Sequence, residues 1–151
     1  LMKKIVALLL ILACFYWFNQ FSDAKPTPAA EATSQTSRTE NSNSTISKAF
    51  KQQLSNVAVE GHGQVIKVLA DDNNGSRHQK FLLKLPTSQT ILIAHNIDIA
   101  PRIENLQSGD IIYFNGEYEW NPKGGVVHWT HHDPQGTHIG GWLELNGKRF
   151  Q

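Results

Sequence analysis

An all-β domain, a small Greek-key barrel of the OB type preceded by a short helix, is the fold class this sequence predicts; an SH3-like barrel is the alternative. Three observations lead there. Runs rich in β-branched and aromatic residues recur at short spacing between residues 57 and 150. Turn clusters such as DDNNGS (71–76) and NPKGG (121–125) separate them. A polar stretch without alternation, IDIAPRIENLQSGD (97–110), interrupts the pattern after the third run, where barrels of this type carry their long connection.

Residues 1–24 read as a targeting segment ahead of that fold. Lys3 and Lys4 precede an unbroken apolar run from Ile5 to Phe18, the arrangement of an export signal. Three fates fit it. Ser22, Asp23 and Ala24 place small residues ahead of Lys25, as cleavage by a signal peptidase requires. Ile11 to Cys14 resembles a lipoprotein box, although the aromatic run from Phe15 to Phe18 is foreign to a lipidated terminus. A spanning helix needs at least roughly 17 residues, which Ile5 to Phe21 just supplies for an uncleaved anchor. In each case the lysines stay cytoplasmic and the rest of the chain is exported, periplasmic or extracellular, with membrane contact through the N-terminal segment only.

Cys14 is the only cysteine, so the domain has no disulfide, no thiol nucleophile and no thiolate metal site. A metal there must be held by His, Asp or Glu. Residues 25–45, KPTPAAEATSQTSRTENSNST, contain no bulky apolar side chain and read as a disordered spacer. A single domain then covers 46–151. Ser44 or Thr45 caps a short helix in which Ile46, Ala49, Phe50 and Leu54 follow helical spacing, and this helix is expected over one end of the barrel.

The strands follow in order. VAVEGHGQVIKVL (57–69) is the first. HQKFLLKL (78–85) alternates, sending Gln79, Phe81, Leu83 and Leu85 to one face and His78, Lys80, Leu82 and Lys84 to the other. Pro86 to Gln89 turn the chain into TILIAH (90–95), and these three runs make a meander. IIYFNGEYEW (111–120) is the fourth. NPKGG then turns into VVHWTHH (126–132), and GWLEL (141–145) with KRF (148–150) closes through Asn146 and Gly147. About ninety residues supply one barrel core and no deep, layered active site, so a site is expected on the open face or at the loop mouths.

GGVVHWTHHDPQGTHIGGW (124–142) concentrates four of the histidines: His128, His131, His132 and His138. Asp133 to Gly136 reads as a type I turn between a strand ending at His132 and a return strand from Thr137. That register sets His131 opposite His138, with Cβ atoms about 4.5 to 5.5 Å apart. His131, His138, His132 and Asp133 are therefore the metal candidates, for zinc or magnesium. Alternation puts Trp129, His131 and His138 on one face and His128, Thr130 and His132 on the other. Trp120, Asn121, Trp129 and Trp142 are the candidate ligand-binding residues.

Arg77, His78, His95, Asp98, Arg102, Glu119 and His128 are the catalytic candidates, with Glu117 on the same strand face as Glu119. Together these types supply a base for water, a cation for developing charge and an acid for a leaving oxygen, the parts of metal-assisted phosphodiester cleavage. The competing reading makes each a strand end, a solvated face or ordinary aromatic packing.

Charge narrows the choice. Residues 46–151 carry as many Lys and Arg as Asp and Glu, whereas non-specific nucleic-acid binders rely on a basic footprint. A local patch of Arg77, Lys80, Lys84 and Arg102 keeps nucleic acid among the candidate partners, beside other envelope ligands. GxSxG, Walker, Rossmann and HExxH signatures are absent, which removes support for a serine nucleophile elbow, NTP use and zincin chemistry. Two readings survive: a small exported metal-assisted phosphodiesterase or nuclease, and a non-catalytic OB-type module binding metal, oligosaccharide or nucleic acid in the cell envelope.

GSRHQKF (75–81), AHNIDIAPRI (94–103), GEYEWNPKGG (116–125), HWTHHDP (128–134) and GGWLELNGKRFQ (140–151) resemble a bacterial family of small exported proteins, the domain-of-unknown-function family numbered three-four-six-five. The resemblance implies export and a compact β domain. It assigns no catalytic residue.

Overall fold

The computed structural model describes residues 43–151. The expected leader, Cys14 and the spacer as far as residue 42 lie outside the described residues. Among the described residues no helix is long and apolar enough to cross a membrane.

Helix α1 is described over residues 43–52. Asn43, Ile46 and Ala49 are buried with Phe50 half-buried, one stripe at helical spacing. Ser44 and Thr45, expected as caps, lie inside this helix rather than ahead of it. It stops where Gln53 takes a left-handed φ of 55°. There Leu54 N–H donates to the Ala49 carbonyl at 2.9 Å and Gln53 N–H to that of Phe50 at 3.2 Å, a Schellman ending built on a non-glycine residue.

Seven strands follow: β1 (Val57–Val68), β2 (His78–Lys84), β3 (Thr90–Asn96), β4 (Ile111–Glu119), β5 (Val126–His128), β6 (Trp142–Leu145) and β7 (Lys148–Phe150). Their order is β1-β2-β3-β5-β4-β6-β7, with an additional β1–β4 pairing. β1, β2, β3, β5 and β4 therefore close on themselves as a five-stranded barrel, and β6 and β7 extend it from β4. β3 and β5 run parallel while every other pair is antiparallel. This closed order is the OB arrangement rather than the SH3-like one.

β1 makes closure possible by serving two neighbours. Val57 to Gln64 pair with β4, Gln64 to Val68 pair with β2, and the register shifts between Val65 and Lys67. Such a bulge bends and twists a strand, as a small barrel demands. The alternation expected for β2 holds: Gln79, Phe81, Leu83 and Leu85 all point inward. They meet Val59, Val65, Ile91, Ile93, Ile112, Phe114, Tyr118, Val127 and Leu143 in one core, with Ile46 and Ala49 of α1 and Ile103 of the 97–110 connection filling it.

Candidate functional site

The outward face of the sheet carries the polar side chains that alternation leaves out of the core. On β4, Glu117 and Glu119 share that face, and the β4–β5 register sets His128 directly across from Glu117 and Val126 across from Glu119. His128 Nε2 lies 3.7 Å from a Glu117 carboxylate oxygen and 3.8 Å from one of Glu119. Among the described residues these three form the one group of three or more His, Cys, Asp or Glu side chains with ligand atoms all within 4.8 Å of one another.

His128 Nε2 is buried and has no hydrogen-bond partner. Burial pushes its imidazole below the ordinary histidine range, against the upward pull of the Glu117 and Glu119 charges. The buried nitrogen thus faces two carboxylates beyond ordinary hydrogen-bond distance. Ligand atoms about 2.0 to 2.2 Å from a zinc ion stand roughly 3.3 to 3.6 Å apart in a tetrahedron, so the two His128–carboxylate separations would shorten by a few tenths of an ångström to hold one. The donor set, one imidazole and two carboxylates, suits zinc better than magnesium, which favours oxygen ligands.

Beside the cluster, β2 and β3 contribute His78, Lys80, Leu92 and Ala94 to the same face. A cavity of about 360 Å³ is lined by these four with Asp72, Glu119, Val126 and His128. A second, of about 300 Å³, is lined by His78, Ala94, Asn96, Ile99, His128, Trp129 and His131. His78 Nδ1 donates to the Ser76 carbonyl at 2.7 Å, which leaves Nε2 as its other polar atom.

The other residues nominated from the sequence lie outside this cluster and make contacts of their own. His95 is fully buried between Thr130 Oγ1, 2.9 Å from its Nδ1, and the Pro101 carbonyl, 3.1 Å from its Nε2. Arg77 pairs with Asp98 at 2.7 Å, and its backbone N–H binds the same carboxylate. Arg102 pairs with Asp71. The Asn121 side chain accepts from Lys123 and Gly125 N–H groups and holds the β4–β5 turn together. Trp120 packs against the core, and Trp142 lies under the Arg149 guanidinium at 4.2 Å.

The hairpin expected over 126–138 is corrected. β5 ends at His128 because Trp129 takes a left-handed φ of 52°, which breaks the alternation. The Asp133–Gly136 turn does form, with Gly136 N–H on the Asp133 carbonyl at 3.1 Å, but no strand ladder flanks it. His131 and His138 are not a cross-strand pair. Each instead lies against the Trp129 ring, at 5.3 and 4.0 Å between centroids. The Asp133 carboxylate accepts from the N–H groups of Gln135, Thr137 and His138 and from the Thr137 hydroxyl, so it organises the loop. These donors hold it well below the usual carboxylate range. His132 is exposed, and its carbonyl receives His131 Nδ1 at 2.8 Å.

Two contributors escaped the sequence reading. Gln79 is buried and binds the Ile103 backbone twice, donating to its carbonyl at 2.9 Å and accepting its N–H at 3.0 Å, which pins the 97–110 connection. A polar residue alternating in phase with Phe81 and Leu83 was the available signal. Ala94 had none, because its role comes from the longer side chains around it.

A family model described as a protein of unknown function (DUF3465) matches residues 30–151. No curated protein matches the chain.

Proposed function

The chain belongs to the DUF3465 family, and we propose that its barrel is a divalent-cation-binding module of the OB type, with Glu117, Glu119 and His128 as ligands. One observation carries this reading: a buried imidazole nitrogen without a hydrogen-bond partner faces two carboxylates from the adjacent strand. Two carboxylate charges at this separation repel one another, and a cation held between them and the imidazole nitrogen would relieve that repulsion. Zinc is the ion the donor set favours. Bound there it would act as a Lewis acid with positions open to water or a ligand oxygen. The apolar leader supports placing this module outside the inner membrane.

Binding is favoured over hydrolysis as its role. Arg77 and Arg102, the cations nominated for catalysis, are engaged by Asp98 and Asp71, and His95, a nominated base, is enclosed. Calorimetric titration of the purified protein with zinc should give one site per chain. His128→Ala should abolish it, and Glu117→Gln should weaken it at least tenfold. Wild-type affinity in both variants would refute the site. Chelator-sensitive cleavage of single- or double-stranded nucleic acid would make the hydrolytic reading the stronger one.

A further inference from the structure

Building on that cation site, we infer that the groove crossing Ala94 seats a phosphodiester, its single negative charge lying between the cation position and Lys80. The strand register lays out the groove. Lys80 pairs with Ala94, and the parallel β3–β5 register of Leu92 with Val126 and Ile93 with Val127 brings Ala94 alongside His128. His128 in turn faces Glu117. A row Lys80, Ala94, His128, Glu117 thus runs across four strands. With neighbouring strands about 4.8 Å apart, the Lys80 and His128 backbones stand roughly 10 Å apart with only a methyl group between them. That gap between two long side chains has the width of a tetrahedral anion.

The two cavities on this face share His78, Ala94 and His128, so they are lobes of one groove that meet over the alanine. One lobe runs along Leu92 and Val126, and the other toward Ile99 and the Trp129 ring. A ligand with its charge in the middle and a less polar arm on each side matches this layout. A diester has that form; a carboxylate or a phosphate monoester has an arm on one side only.

Charge selects in the same direction. A divalent cation neutralises Glu117 and Glu119. Lys80 lies beside the slot in a long, part-buried pair with the Asp72 carboxylate at 3.4 Å, and its ammonium keeps further N–H donors for an anion. The groove then accommodates one negative charge more readily than two, a monoanionic diester before a dianionic monoester. Asn96 lines the slot and its amide can donate to a remaining oxygen.

Zinc affinity and binding of bis(4-nitrophenyl) phosphate, measured by calorimetry on the same full-chain samples, test this. The zinc-loaded protein should bind the diester at least tenfold more tightly than the metal-free protein and more tightly than 4-nitrophenyl phosphate. Ala94→Leu, which fills the slot, should lower diester affinity at least tenfold and leave zinc affinity unchanged; Lys80→Met should lower it at least threefold. If zinc binds and neither substitution changes diester affinity, or the monoester binds more tightly, the inference is overturned while the cation site stands. If zinc does not bind, the cation site itself fails and the inference with it. Should Ala94→Leu lose zinc as well, Lys80→Met decides, because its side chain lies at the surface of the groove. A thymidine dinucleotide and glycerophosphoglycerol, titrated in parallel, distinguish a nucleic-acid source of the diester from a lipid headgroup.

Discussion

His95 makes the stability of this domain depend on pH in a window that can be worked out. Its ring is enclosed, and the Pro101 carbonyl can only accept, so Nε2 carries the proton and Nδ1 accepts from the Thr130 hydroxyl. A second proton would have to enter at Nδ1, against that hydroxyl and without water. Burial accordingly pushes the imidazole from the ordinary 6.5 down to about 4. Above pH 6.5 both folded and unfolded chains hold it neutral and the full stability is present. As the pH falls below 6.5 the unfolded chain takes up a proton that the folded chain refuses until about pH 4. Each pH unit in between then costs about 1.4 kcal/mol, close to 3 kcal/mol in all, a large share of the roughly 5 to 15 kcal/mol of a typical domain. Urea unfolding of the wild type and of His95→Gln at pH 7, 6, 5 and 4 measures it. The variant should be the less stable at pH 7 and should lose about 3 kcal/mol less on acidification. Using the difference removes the contribution of His128, which is present in both proteins. Parallel pH profiles would refute the assignment of the acid sensitivity to His95.

Two further substitutions probe the segment around β5. Gly125 has a φ of 95°, and a Cβ there would overlap the Tyr118 ring. Gly125→Ala therefore adds a clash to backbone strain and should cost about 2 to 4 kcal/mol by urea unfolding, while Gly136→Ala, strained but in open space, should cost only about 1 kcal/mol; equal costs would refute the clash. Asp133→Ala removes the acceptor shared by Gln135, Thr137 and His138. Amide exchange at those three residues should speed up at least tenfold and tryptophan fluorescence should shift as His138 leaves the Trp129 ring, with no change in zinc affinity.

The barrel was legible because alternation survives wherever a strand has one buried face. Gln79 to Leu85 declared their inward set, Asn146 and Gly147 their turn, and Glu117 with Glu119 their shared face, all from period two alone. What alternation cannot state is which strand lies beside which. Glu119 and His128 were each nominated, but their meeting depends on the β4–β5 register, which the turn at Asn121 to Gly125 sets through hydrogen bonds visible only in three dimensions. Likewise Arg77 and Arg102 looked available because their partners, Asp98 and Asp71, are distant in sequence.

The misread hairpin has a single physical origin. Trp129 adopts a φ that costs a bulky residue roughly 1 to 3 kcal/mol, and a strain of that size persists only where the surroundings over-determine it. Here they do: His138 stacks on its ring at 4.0 Å, His131 sits against it, and Gly141 N–H ties the returning chain to the His131 carbonyl at 2.9 Å. An ideal hairpin would have carried Trp129 onto the inward face and paired the histidines with one another. The strained one turns its ring to the surface, where it walls the groove beside His128 on one side and a second cleft beside Glu117 on the other. The histidine-rich segment thus supplies one candidate ligand, His128, and spends His131 and His138 on holding Trp129 at the edge of the site.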